Sequence, residues 1–273
     1  MNNELTPAFI LHRRRFRETS LLLEVLSPLA GRLGLVARGA LRGKRASPGL
    51  LQPFQPLKLS WAGRGSLPNL AKYEAAGTAY QLLGAKLYAG FYLNELVMRM
   101  TVRADPSPEL FAAYATSLSQ LASAADIEPV LRQFEVALLD AVGLGLILDC
   151  EQATGASIDP NRHYHYGVDT GATLANRSGP GTDAISGKTL LALAGHEAWS
   201  GEALRESKQL MRRVIRYHAG DRPFESRRLF AETLREPSTE ARNTEPAETP
   251  LPQSESQADT NDSHKATDSG TQK

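Results

Sequence analysis

"SLLLEVLSPLAGRLGLVAR", residues 20–38, holds two short apolar runs with a turn signal between them. Residues 20–27 read as a strand, and "PLAG" reads as the turn that ends it. Residues 32–38 alternate, with Leu33, Leu35 and Ala37 on one face. Similar runs lie on either side. "AFILHR" (8–13) precedes the pair, with an arginine loop after it. An 18-residue connection, "GALRGKRASPGLLQPFQP" (39–56), follows. "LKLSWAG" (57–63) alternates again and leads into "GRGS". "LPNLAKYE" (67–74) is a weaker fifth strand because Pro68 sits near its start. No helix-length pattern separates these strands, which argues against a parallel α/β sheet. A small closed antiparallel barrel fits, of the oligonucleotide/oligosaccharide-binding (OB) type or of the SH3-like type.

After Ala75 the period changes. Residues 82–100, "LLGAKLYAGFYLNELVMRM", are apolar nearly all round, with only Lys86, Asn94, Glu95 and Arg99 clearly polar, as expected of an interior helix. Residues 106–123 carry a helix start, with Ser107 as N-cap before Pro108. Residues 127–143 give a helix with Ile127, Val130, Leu131, Phe134, Leu138, Ala141 and Val142 on one face and Gly143 as its stop. Residues 149–183 are rich in Gly, Asp, Asn and Thr and predict a small irregular insert with one hairpin around "HYHYGVDTGATLA". Helices resume over 186–197 and 201–220. In the second of these, Leu204, Met211, Val214, Ile215 and His218 lie towards one side, and Arg205, Lys208, Arg212 and Arg216 on another. The expected class is therefore α+β, with a barrel domain over 1–78 and a helical domain with insert over 79–235. From Glu236 the chain is Pro, Ser, Thr, Glu and Asp with few large apolar residues, the composition of a disordered acidic tail (236–273).

The net charge of +1 conceals an asymmetry. Residues 1–74 carry 12 Lys/Arg against 4 Asp/Glu, whereas residues 236–273 carry 3 against 8. A basic head on a balanced body is the footprint of a localised anion-binding surface, although a solvated face is the ordinary origin of a charge run. No run approaches the 18 or so apolar residues a spanning helix needs, and the N-terminus lacks the basic and apolar regions of a signal peptide. Cys150 is the sole cysteine, which excludes an internal disulfide and fits a cytoplasmic location.

Catalytic signatures are missing. "GRLGLVARG" and "AGRGS" do not open a helix after a strand, so they read as turns and not as phosphate-binding loops. Cys150, His163 and His165, with Asp149 and Asp159, fall short of the four Cys/His ligands of a structural zinc site, and the two histidines fit one face of a strand. There is no G-x-S-x-G and no H-E-x-x-H. The sharpest signal is the arginine cluster Arg13, Arg14, Arg15 and Arg17, with Arg42, Lys44 and Arg45 in the long connection able to reach the same polyanion. Arg38, Lys58 and Arg64 complete the basic set of the barrel. Spaced phosphates need several cations, and each one neutralised releases counterions. Phe16 and Trp61 are candidates for stacking on bases; Phe16 suits rim packing equally, and Trp61 the barrel core.

The stretches "ETSLLLEVLS", "GRLGLVARGALRGKR", "LLQPFQPLKLSWAGRG", "LYAGFYLNELVMRM" and "RQFEVALLDAVGLG" together resemble the bacterial DNA repair and recombination mediator family RecO, over most of residues 8–145 and more weakly to about residue 232. The resemblance implies an N-terminal OB domain, a helical body and a zinc-ribbon-like insert. It also implies binding of single- and double-stranded DNA, annealing of complementary strands, and partnership with RecR in the RecF pathway. Helping to load RecA onto strands coated by single-stranded DNA-binding protein (SSB) is implied as well. Many members carry four cysteines in the insert. This chain keeps only Cys150, so the insert is expected to fold without metal, and no cofactor is expected. The family's helical body also docks the acidic, apolar-ended SSB tail. Arg132, read as lying on the polar edge of its helix, and the stripe Arg205, Lys208, Arg212 and Arg216 are the candidates for that contact, with a solvated helix face as the ordinary explanation of the stripe.

The expected function is thus a non-enzymatic, nucleoid-associated DNA annealing and recombination mediator. The alternative is a protein-interaction adaptor for SSB and RecR with incidental DNA contact. A metal-dependent nuclease is disfavoured because no ligand cluster stands out.

Overall fold

In the computed structural model the residues described are 2–42, 49–63, 65, 67–175 and 183–235. The candidate cations Lys44, Arg45 and Arg64 and the acidic tail lie outside them. The N-terminal third is a closed barrel of five strands, β1 (Asn2–Phe16), β2 (Ser20–Ser27), β3 (Gly31–Ala37), β4 (Leu57–Ala62) and β5 (Asn69–Ala75). Their order is β1-β2-β3-β5-β4. β1 pairs antiparallel with β2 along one half and with β4 along the other, and a parallel β3–β5 contact at Val36 and Asn69 closes the ring. This is the OB topology. Ala8, Ile10, Leu23, Val25, Leu35, Leu57 and Leu59 fill its interior.

The arginine loop expected after residue 13 is instead strand. β1 runs on to Phe16, because Arg13, Arg14, Arg15 and Phe16 pair with Leu23, Leu22, Leu21 and Ser20. The turn is confined to residues 17–19. The register slips between Ile10 and His12, leaving Leu11 as a bulged residue. Before the bulge, Ile10 lies opposite the core residue Val25. After it, Arg13 and Arg15 lie opposite Leu23 and Leu21, which point into the barrel. Residues paired across a ladder share a face. Arg13 and Arg15 therefore stand over the barrel mouth, while Arg14 shares the outer face with Leu22.

The helical body comprises α1 (Ala85–Met100), α2 (Pro108–Ser123), α3 (Glu128–Ala141), α4 (Gly187–Leu193), α5 (Gly201–Ala219) and α6 (Glu225–Arg235). Ser107 caps α2 as expected, its Oγ accepting from the amide of Leu110 at 3.2 Å. The insert contributes β6 (His163–Gly167), β7 (Gly171–Leu174) and the two-residue β8 (Ile185–Ser186), with β6 central. β6 and β7 form the expected hairpin, and Tyr164, Tyr166 and Ala172 of that hairpin join the core of the helical body. His163 and His165 lie on the opposite face of β6, half-buried and exposed.

The barrel and the helical body share one apolar cluster. Phe9, Leu11, Leu26 and Phe54 project from the barrel region into the same apolar cluster as α1, α2 and α3. Arg32 of β3 adds a polar clamp, donating to the Thr101 carbonyl at 2.8 Å and to Thr101 Oγ1 at 3.1 Å. Glu24 accepts from both Arg32 and Arg103. Beside the clamp, Gly31 adopts φ +63°, and a Cβ there would lie 2.0 Å from the Asp105 carbonyl oxygen, so only glycine fits.

Candidate nucleic-acid interface

One buried side chain connects α1 to the arginine edge. Asn94, 1% exposed, donates its amide to the carbonyl of the bulged Leu11 at 2.9 Å and accepts from the Tyr114 hydroxyl at 2.5 Å. Leu11 has no partner in the β1–β2 register, and Asn94 gives its carbonyl a hydrogen bond. A buried polar residue of α1 thus stabilises the register that aims Arg13 and Arg15. Burial alone pushes the Tyr114 hydroxyl well above its ordinary range.

Around the β1–β2 hairpin tip the exposed cations gather. Arg14, Arg15 and Arg17 are all exposed. Arg38 follows Ala37, which pairs with Leu21 beside the tip. The amide of Leu41 donates to the Thr19 carbonyl at 3.0 Å and so ties the segment bearing Arg42 to the same turn. No carboxylate pairs with Arg14, Arg15, Arg17, Arg38 or Arg42 among the described residues. Arg13 is partly engaged, donating to the Leu51 carbonyl at 3.0 Å, and so braces the long connection against β1. Lys58 stands apart from this group, paired in register with Pro7 on the other half of β1 and with Glu74 on β5. Phe16 is half-buried with the Arg17 guanidinium 5.3 Å from its ring centre. Trp61 packs against the barrel core.

The reading of Arg132 as a polar-edge residue needs correction. It is 2% exposed on the buried side of α3. Its Nη1 lies 2.8 Å from Oε2 of Glu135, itself 1% exposed, close enough for an ion pair but out of line for a hydrogen bond. A charge this deep requires partners, and a network supplies them. Tyr92 donates to Glu135 Oε1 at 2.7 Å and accepts from Arg227 at 2.9 Å, while Lys208 reaches Glu128 at 2.5 Å. Burial pushes the Glu135 carboxyl above its ordinary range despite Arg132 and the Tyr92 hydroxyl beside it. Above this network a pocket of about 270 Å³ opens between α1, α3, α5 and α6, with Tyr88, Leu131 and Phe230 as apolar walls and Lys208, Arg212 and Arg227 as cations. Arg132 Nε, with no hydrogen-bond partner among the described residues, lies in its lining residue. Of the stripe, Lys208 and Arg212 reach this pocket. Arg205 is exposed elsewhere on α5, and Arg216 pairs with Asp221 at 3.5 Å. Arg227 was not legible as a site residue, because the short, charged α6 that carries it gives little apolar signal.

Among the described residues no three His, Cys, Asp or Glu side chains converge as metal ligands, and no helix is long and apolar enough to cross a membrane. Two family profiles match the chain: "Recombination protein O N terminal" over residues 1–79 and "Recombination protein O C terminal" over residues 84–228. A protein of Methylococcus capsulatus named DNA repair protein RecO is 47% identical over 226 residues, covering 83% of this chain and 92% of the relative. Proteins of the same name from Alkalilimnicola ehrlichii and Aromatoleum aromaticum are 43% and 41% identical, covering 85% and 83% of this chain and 92% and 94% of the relatives. Barrel, helical body and sequence kinship agree, and the chain belongs to the RecO family.

Proposed function

We propose that this chain is a non-enzymatic mediator of DNA repair and homologous recombination. It binds single- and double-stranded DNA, anneals complementary strands, and helps load RecA onto SSB-coated DNA together with RecR and RecF. The observation that carries the reading is the set of five exposed guanidinium groups at one end of an OB barrel, with no carboxylate partner among the described residues. Such a surface grips phosphates without reading base edges, so its binding tolerates any sequence and weakens with salt. Annealing requires two polyanions brought together against their repulsion, and cations on a fixed rim screen that repulsion without covalent chemistry.

The pocket over Arg132 supports the SSB contact. An acidic peptide with an apolar end requires a greasy recess with cations at its rim, and Tyr88, Leu131 and Phe230 beside Arg212 and Arg227, with Lys208 shared with Glu128, offer that combination. The same pocket gives the adaptor reading its footing, with DNA contact incidental. The test is annealing of two labelled complementary oligonucleotides, naked and SSB-coated. Annealing on both supports the mediator with a working SSB contact. Annealing on naked strands alone overturns the SSB contact, and none on either overturns the mediator and favours the adaptor.

A further inference from the structure

A groove of about 830 Å³ separates the barrel from α1 and α6, within the size range of ligand sites. One wall is β1 itself, through Leu11, His12 and Arg13, so the groove begins where the arginine edge ends. Phe91 of α1 forms part of its lining, 38% exposed although residues 89, 90, 92 and 93 around it are buried. Its ring centre lies 5.2 Å from that of Phe54, which holds it in place. Leu229 of α6, 45% exposed, faces the same space.

The charge of the lining is one-sided once internal pairs are removed. Glu95 is saturated, accepting from Arg99, from the amides of Glu225 and Ser226, and from Ser226 Oγ. Glu225 is held by two nitrogens of Arg228. Arg99 is spent on Glu95 and on the carbonyls of Arg222 and Pro223. The side chains of His12 and Arg222 remain without an ion-pair or hydrogen-bond partner among the described residues.

We propose that this groove is a base-binding site for single-stranded DNA, in which an unpaired base stacks on Phe91 while His12 and Arg222 hold the flanking phosphates. The inference rests on the DNA-binding reading above and adds a strand preference to it. An exposed aromatic ring beside the Arg222 guanidinium and the His12 imidazole suits any base, because every base offers a π-face. A paired base stays in its stack and cannot enter, so the groove favours single strands while the arginine edge serves both forms. Continuity with β1 favours DNA over a peptide as occupant.

The test is fluorescence anisotropy of labelled oligo(dT) and of a duplex with Phe91→Ala, Phe91→Leu and the R14E/R15E pair, after thermal melts confirm folding. The expected result is about tenfold weaker oligo(dT) binding for both Phe91 variants, with duplex binding unchanged, since stacking of one base carries an effect of that order. Phe91→Leu preserves apolar packing and removes only the ring, so loss in this variant points to stacking. If both Phe91 variants bind oligo(dT) like wild type while R14E/R15E does not, the groove proposal falls and the arginine-edge reading survives. If R14E/R15E also binds normally, the underlying DNA reading falls with it. If the Phe91 variants lose an SSB-tail peptide instead of oligo(dT), the groove is a peptide site and the proposal is overturned.

Discussion

Replacing Arg14, Arg15 and Arg17 with alanine tests how the barrel end grips DNA. Five described cations lie there without carboxylate partners: these three, Arg38 and Arg42. For single strands, log affinity falls with log salt at a slope of about −0.7 per phosphate neutralised, so five contacts give about −3.5. Between 50 and 200 mM salt the wild type should then lose about a hundredfold in affinity. The triple variant keeps two of the five, for a slope of about −1.4 and a loss of under tenfold. All three side chains are exposed and form no ion pairs among the described residues, so the fold should be little affected. The assay is anisotropy of labelled oligo(dT) over a salt series. A slope that stays at the wild-type value would show that phosphates bind elsewhere and would refute the assignment, whatever the change in absolute affinity.

Other expectations follow from buried contacts. Asn94→Ala strips partners from the Leu11 carbonyl and the Tyr114 hydroxyl and should cost roughly 2–5 kcal/mol by denaturant unfolding. Adding Tyr114→Phe should cost less than the sum of the single changes, and strict additivity would contradict the shared bond. Gly31→Ala must force both a positive φ and a clash with Asp105, and a loss of less than about 1 kcal/mol would contradict that geometry. Ser107→Ala removes the α2 cap at a cost of about 1 kcal/mol, measurable as a lower denaturation midpoint. Burial raises the Glu135 pKa above its unfolded value, so the folded chain binds this proton more tightly than the unfolded chain. This group's stabilising contribution is therefore full at low pH and lost as pH rises through the raised value. Wild type should gain stability relative to Glu135→Gln as pH falls from 7 to 5, and a relative loss over that range would contradict the sign.

Local patterns carried much of this fold. The alternation at Leu33, Leu35 and Ala37 marks a strand facing the barrel core, and Ser107 before Pro108 marks the start of α2 in sequence and structure alike. The choice between OB and SH3-like barrels was not local. It depends on β1 reaching β4 and on β3 meeting β5 at Val36 and Asn69, which no window of sequence displays. The Leu11 bulge was hidden for a related reason. Strict alternation from Ala8 and Ile10 would send Arg14 into the barrel and Arg13 outward, and only the pairing with β2 reverses this. Asn94 is one of four clearly polar residues in the stretch 82–100, and nothing local marks it out, because its partner lies 83 positions away. Arg132 misled because a charge is ordinarily solvated. Its partner Glu135, three positions on, was the available sign that the pair is buried together.

The most direct measurement is the annealing rate of complementary oligonucleotides at low salt, with wild type and with an R14E/R15E/R17E variant whose melting temperature is unchanged. The account predicts that wild type accelerates annealing and that the variant does not. A variant that anneals as fast as wild type, or a wild type that leaves the spontaneous rate unchanged, would contradict it.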